Sequence, residues 1–251
     1  MRTVGAISFA ARCAAIFALA VCSAAAQQPA AKAPGPQAGP PNLKVIQRPP
    51  LFFREDWKPM VNPKGNGEHT VAPQDLSSAD LELKLYGDQN GPKEVFMGDD
   101  QSTVIWTGLC ASNCAVALRN KNSYVDLSGA AKIRWRTRQS GFHILHPIVK
   151  LADGTWLVAE HGEPSNPDWI ETDVPLAGMR WRRLDIQGVV EGRDGQWVEN
   201  PDLSKVDEVG FTDLMAGSGH GAGGSSRVDW IEVYGNAVPR EGGEQKSSSG
   251  N

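Results

Sequence analysis

The residues of this sequence with the widest chemical range sit around one turn. The segment HPIVKLADGTWLVAEH, residues 146–161, carries His146 and His161 at its ends and Asp153-Gly154 at its centre. Asp-Gly between two apolar runs predicts a two-residue hairpin turn. That turn sets Leu151 opposite Trp156, Val149 opposite Val158 and His146 opposite His161. A cross-strand histidine pair holds a metal when a carboxylate joins it. His143 stands three residues from His146 and therefore projects from the other face of a strand. With no third ligand in reach, the two imidazoles read as a half-exposed polar pair at the open end of the hairpin.

Arginine and tryptophan supply the next chemistry. KIRWRTR, residues 132–138, alternates Lys132, Arg134, Arg136 and Arg138 with Ile133, Trp135 and Thr137. The cationic side reads first as a solvated outer face. Its functional reading is a groove for an acidic ligand such as a uronic-acid polymer, because a guanidinium binds carboxylate through two parallel bonds. Arg180, Arg182 and Arg183 in MRWRRLDI extend such a row if that strand lies alongside. Eight tryptophans are many for 251 residues. Trp135 and Trp230 lie in alternating runs and belong to a core, whereas Trp169 in EPSNPDWIE and Trp197 in GRDGQWVEN have loop-like surroundings. An exposed indole among polar residues is a stacking platform for a sugar ring.

Catalytic constellations are thin. The sequence has no G-x-S-x-G elbow, H-E-x-x-H pair or C-x-x-C thiol pair. Glu160, Glu171, Asp173, Asp185 and Asp229 supply carboxyls, and glycoside hydrolysis needs two at a set separation. Gly219, Gly221 and Gly224 in GSGHGAGG spell G-x-G-x-x-G, and the strand-like VDEVGFTDL leads into it. The next segment, SSRVDWIEVYG, is a β run rather than the helix whose N-terminus would face a pyrophosphate. The glycines therefore read as a connection between two strands, with His220 at its centre.

These residues need elements to position them, and the elements are short. LELKLY, KIRWRTR, TWLVAEH, RWRRLDI, DEVGFTD and RVDWIEVY alternate with period two between turn-forming residues. That pattern predicts an all-β protein, and at this length a two-sheet antiparallel β-sandwich is the natural closure. Asp-Leu-Ser recurs at 75–77, 126–128 and 202–204, each time a few residues before a strand. Asp and Ser bond nearby amides to hold a turn, and Leu reaches the core edge.

The ends frame one domain. Residues 1–26, with Arg2 and Arg12, an apolar run from Ala14 to Val21 and an A-x-A site at Ala24–Ala26, have the form of a secretory signal peptide. The apolar run is too short for a membrane span. Val21 stands where a lipoprotein signal wants a small residue, which argues against an anchor at Cys22. Residues 27–50 are a Pro/Ala-rich linker, 51–236 the β-sandwich domain, and 237–251 a disordered tail. Cleavage would leave Cys110 and Cys114, which read as one disulfide in an oxidising compartment. The net charge of −4 argues against a nucleic-acid partner.

The last third carries a likeness. DLSKVDEVGFTDL followed by SSRVDWIEVYG resembles the closing strands of galactose-binding-like β-sandwiches of the bacterial carbohydrate-binding-module type. Val206, Val209, Gly210, Phe211, Val228, Asp229, Trp230, Ile231 and Val233 carry it, and YVDLSGAAKIRWRTRQ is similar to an early strand of that fold. The resemblance implies a jelly-roll sandwich that binds polysaccharide and in some members holds a structural calcium. The expected function is a secreted or periplasmic carbohydrate-binding protein with no other cofactor. Its expected ligand contacts are Trp156, Trp169, Trp181, Trp197, Arg134, Arg136, Arg180, His146 and His161. A glycan-active hydrolase or lyase using His146 or His161 with a carboxylate is the alternative, and a structural or protein-interaction module of the cell envelope is the third.

Overall fold

Alternation of side chains governs the long strands of the computed structural model, which describes residues 47–60, 68–97, 101–192, 197–214 and 225–240. In chain order the strands begin β1 (Leu51–Glu55), β2 (Glu68–Thr70), β3 (Leu81–Gly87), β4 (Lys93–Met97), β5 (Ser102–Trp106) and β6 (Cys114–Asn120). They continue with β7 (Ser123–Asp126), β8 (Lys132–Ser140), β9 (Leu145–Leu151), β10 (Trp156–Ala159), β11 (Asn166–Pro175) and β12 (Trp181–Asp185). The last are β13 (Val190–Glu191), β14 (Trp197–Val198), β15 (Val206–Asp213), β16 (Ser225–Tyr234) and β17 (Asn236–Pro239). A 3-10 turn, Pro73–Asp75, follows β2.

The strands form a two-sheet antiparallel β-sandwich. The first sheet runs β11-β8-β16-β5-β4-β2, with β1 also paired to β16. The second runs β13-β12-β10-β9-β15-β6-β3, with β14 on β12, and β7 joined to β15 and β17. Consecutive strands β15 and β16 lie in different sheets. β8 shows why the layers form: Ile133, Trp135 and Thr137 point inward and are fully buried, while Lys132, Arg134, Arg136 and Arg138 stay outside. Ile231 and Val233 of β16 join them, facing Val116, Leu118, Val149, Leu157, Val209 and Phe211 of the second sheet. Full burial of an aliphatic or Phe side chain of this kind is worth about 1.5–3 kcal/mol.

The β9–β10 hairpin departs from the expected register by one residue. Leu151 N–H bonds the Thr155 carbonyl, Gly154 N–H bonds the Leu151 carbonyl, and Gly154 has φ +89°. The loop therefore has three residues, Ala152 to Gly154, with glycine in the left-handed position. Trp156 stands opposite Lys150, Leu157 opposite Val149 and Val158 opposite Ile148. A one-residue slip exchanges the faces of a strand. Trp156 and Val158 thus join Ile148 in a second apolar cluster on the outer side of this sheet, with Ala115, Ala117, Leu184 and Val189. Leu157 and Ala159 face the main core instead.

Two of the Asp-Leu-Ser segments behave alike. Asp126 accepts the Ser128 amide and Asp202 accepts the Ser204 amide, each closing a turn over a buried leucine. The first departs. Asp75 does not take the Ser77 amide, which bonds the Glu55 carboxylate instead.

Cys110 and Cys114 form a disulfide. Asp88 secures the same loop, accepting the Asn90 and Ala111 amides. A five-residue loop cross-linked in the unfolded chain is worth about 2 kcal/mol by loop entropy. Replacing both cysteines with serine should lower the unfolding free energy by that amount in urea titration, with the slope unchanged. A loss above roughly twice that would show that the bridge shapes the native loop as well.

The sandwich runs past the expected boundary at residue 236. β17 pairs with β7, and Arg240 donates to the Asn120 carbonyl. At the other end Pro50, expected in the linker, accepts the Gly235 amide. The expected signal peptide with Cys22, most of the linker, the GSGHGAGG segment with His220, and the tail from 241 lie outside the described residues. No helix among the described residues is long and apolar enough to cross a membrane.

Candidate functional site

Alternation along β12 places Trp181 in the core and Arg182 outside, beside its cross-strand partner Trp197 on β14. The guanidinium carbons of Arg180 and Arg182 lie 4.3 and 4.1 Å from the Trp197 ring centroid. Both are cation–π distances. Arg180 is ion-paired with Glu160 through two nitrogens, and Arg182 with Glu191. The Arg180 bonds hold the Glu160 carboxyl below its ordinary range. Beside this stack is an open depression of about 270 Å³ lined by Gly178, Met179, Arg180, Trp197, Val198, Glu199 and Asn200. Sequence-predicted Trp197 and Arg180 therefore meet at one site.

Trp169, Arg134 and Arg136 lie on the other sheet, not with Trp197. Arg136 and Arg138 stand 4.8 and 6.0 Å from the Trp169 centroid, and the Trp169 Nε1 is buried with no hydrogen-bond partner among the described residues. The cationic row on β8 is not an open groove for an acidic polymer. Lys132 bonds Asp173 at 2.8 Å, Arg134 bonds Glu171 at 2.7 Å, and Arg136 pairs with Asp229. Carboxylates on the flanking strands β11 and β16 already occupy these cations.

Two expected platforms are core residues. Trp181 is 1% exposed and offers no ring face to a ligand. Trp156 is buried too, set edge-to-face on Tyr86 at 5.0 Å by the register of the hairpin. The histidines do not form a metal pair either. His146 Nδ1–H points at the carbonyls of Ala159 and His161, 3.2 and 3.0 Å away. His161 Nε2 meets Glu163 at 2.9 Å. Glu163 is buried and also accepts Trp135 Nε1 and Thr172 Oγ1. Burial opposes its charge, yet the bonds from His161 and Trp135 hold its carboxyl below the usual range. Glu163 thereby ties the partly exposed His161 ring to Trp135 of β8 and Thr172 of β11.

The sequence reading missed one constellation. His69 on β2 is the cross-strand partner of Glu94 on β4, and neighbouring residues on one pleat face each other. Asp75, in the 3-10 turn after β2, completes the group. His69 Nε2 is 2.9 Å from Asp75 Oδ2 and 2.9 Å from Glu94 Oε2, and the three ligand atoms lie within 4.8 Å of one another. The Ala72 amide fixes Asp75 Oδ2 at 2.7 Å. Glu94 is 1% exposed, and burial first, then the Asp75 carboxylate, push its carboxyl up to about 8. A cavity of about 350 Å³ opens on the cluster, lined also by Lys58, Pro59, Met60 and Gln74. The signal was present as the Asp-Leu-Ser segment that does not cap its own turn, six residues after a histidine.

No protein-family model matches the sequence, and no curated protein matches it. Among solved structures, a family 11 carbohydrate-binding module from Clostridium thermocellum, in complex with a β-1,3-1,4-mixed-linked tetrasaccharide, is 16% identical. It covers 70% of this chain and 100% of its own, with a TM-score of 0.40. The family 11 module of the cellulosomal cellulase Lic26A-Cel5E from the same organism is 16% identical over 74% of this chain and 97% of its own, with a TM-score of 0.35. The structure of PfGH50B is 9% identical over 67% of this chain and 23% of its own, with a TM-score of 0.37.

Proposed function

We propose that this protein is a secreted carbohydrate-binding β-sandwich that takes an uncharged glycan at the Trp197 depression. The observation that carries this reading is Trp197 itself. It is a half-buried indole flanked by two guanidinium groups whose charges are matched by Glu160 and Glu191, at the rim of an open depression with Glu199 and Asn200. A sugar needs a flat apolar surface for its C–H face and donors and acceptors around its edge for its hydroxyls. Indole, guanidinium and carboxylate supply all three. Because each arginine already has its carboxylate, the site favours a neutral polysaccharide over a uronic-acid polymer. Arg180, the more exposed of the two, is the group a sugar ring displaces from the indole face. Trp169 with Arg136 offers the same chemistry on the other sheet as a secondary platform. The form of residues 1–26 and the galactose-binding-like pattern of the closing strands support secretion and this superfamily.

Affinity electrophoresis against neutral β-glucans, mannan and polygalacturonate tests the reading. Trp197→Ala should weaken retention by neutral glycan about tenfold or more, the equivalent of about 1.4 kcal/mol. Trp169→Ala should weaken it less. Unchanged retention in both variants would sink the site, and preference for polygalacturonate would sink the neutral-ligand assignment.

A further inference from the structure

We propose that His69, Asp75 and Glu94 form a binding site for a first-row divalent metal ion of the zinc class, independent of the glycan site. One imidazole nitrogen and two carboxylate oxygens converge here from β2, β4 and the turn between β2 and β3. An Nε2–H can point at only one acceptor at full strength, yet His69 Nε2 stands 2.9 Å from both carboxylates. Glu94 Oε2 is accordingly left buried with no hydrogen bond, on a residue 1% exposed and aimed into the cluster. A buried carboxyl oxygen without a hydrogen-bond partner is costly. A cation among the three ligand atoms satisfies the nitrogen lone pair and both oxygens at once.

The ligand set selects the class of metal. Calcium takes six to eight oxygen ligands and no imidazole, whereas zinc and its neighbours accept imidazole with carboxylate in four- to six-coordinate sites. The structural calcium implied by the sequence resemblance does not suit this cluster. Three protein ligands leave at least one coordination position, and the 350 Å³ cavity gives water access to it. The support around the ligands is what a built site shows: the Ala72 amide orients Asp75, and the β2–β4 register fixes His69 against Glu94.

The test is calorimetric titration of chelator-stripped full-length protein with ZnCl₂, with MnCl₂ and CaCl₂ in parallel. One zinc per chain is expected, bound at least about tenfold more weakly by His69→Ala and by Glu94→Gln. Zinc should raise the melting temperature of the unmodified protein and leave that of His69→Ala unchanged. Cobalt(II) adds a spectroscopic readout, since its visible ligand-field bands should appear with the unmodified protein and disappear in His69→Ala. His69 is exposed, so that variant carries the test if Glu94→Gln fails to fold. Absence of saturable zinc uptake, uptake undiminished in both variants, or calcium bound more tightly than zinc would each overturn the proposal.

Discussion

Replacing Glu55 with alanine is expected to lower the unfolding free energy by about 4 kcal/mol. Glu55 is fully buried at the end of β1. Its carboxylate accepts three backbone amides: Trp57 at 2.9 Å, Ser77 at 2.6 Å and Ser78 at 3.1 Å. Bonds to a charged acceptor contribute about 1.5–3 kcal/mol each, and the buried Trp57 amide left without a partner costs about 1–3 kcal/mol more, while the part-buried Ser77 and Ser78 amides cost less. The carboxylate's own desolvation offsets part of that sum, which brings the expectation down to about 4 kcal/mol. Trp57 depends on the same anchor, since its backbone has φ +57° and its Nε1 donates to the Val228 carbonyl inside the first sheet. Glu55→Gln keeps one oxygen but turns an amide donor toward one of the three amides, so it should lose about half as much. Equilibrium urea unfolding measures both. A loss below about 1 kcal/mol for alanine would mean that water replaces the carboxylate at the three amides.

Gly210→Ala should cost about 3 kcal/mol or more, the upper end for an overpacked site. Gly210 lies mid-strand in β15, between β6 and β9. A Cβ there would fall 2.1 Å from the Val116 carbonyl oxygen and 2.6 Å from the Ala117 Cα. Both neighbours are backbone of a central strand, so relief requires β6 itself to move. Gly154→Ala makes the control: its added carbon meets nothing within 4 Å, and its cost comes only from a positive φ. Gly210→Ala should therefore lose markedly more in thermal unfolding than Gly154→Ala. Equal losses would show that the sheet opens at β15 without strain.

Most of the architecture was legible because burial on one face forces period-two alternation. KIRWRTR became β8 with its pattern intact, and RVDWIEVY became β16. The hairpin shows where such reasoning stops. Asp-Gly suits both a two-residue turn and a three-residue loop with a left-handed glycine, and the choice depends on how both strands meet the rest of the sheet. That single residue moved Trp156 from the expected face to the outer cluster. Trp197 and Arg180 were legible as residue types, whereas the carboxylates that neutralise the arginines, Glu160 just after β10 and Glu191 on β13, come from separate segments and carry no local mark. His69, Asp75 and Glu94 were hidden for a related reason. Glu94 lies in a run that reads simply as a strand, and its partner is set by a pairing 25 positions away in sequence.

The contact between Pro50 and Gly235 has a mechanical consequence. It places the entry to β1 beside the exit from β16, with Leu51 opposite Tyr234 at that end and Glu55 opposite Ile231 at the other. Tension applied outward at these two points would open the pair like a zipper, because ladder bonds in an antiparallel pair run perpendicular to the strands and meet the load singly. The zipper would run from Leu51 to Glu55 and stop there, where one carboxylate grips three amides and the Trp57 ring is tied to Val228. Pulled apart at residues 50 and 235, this strand pair would yield softly over one short strand and then hold.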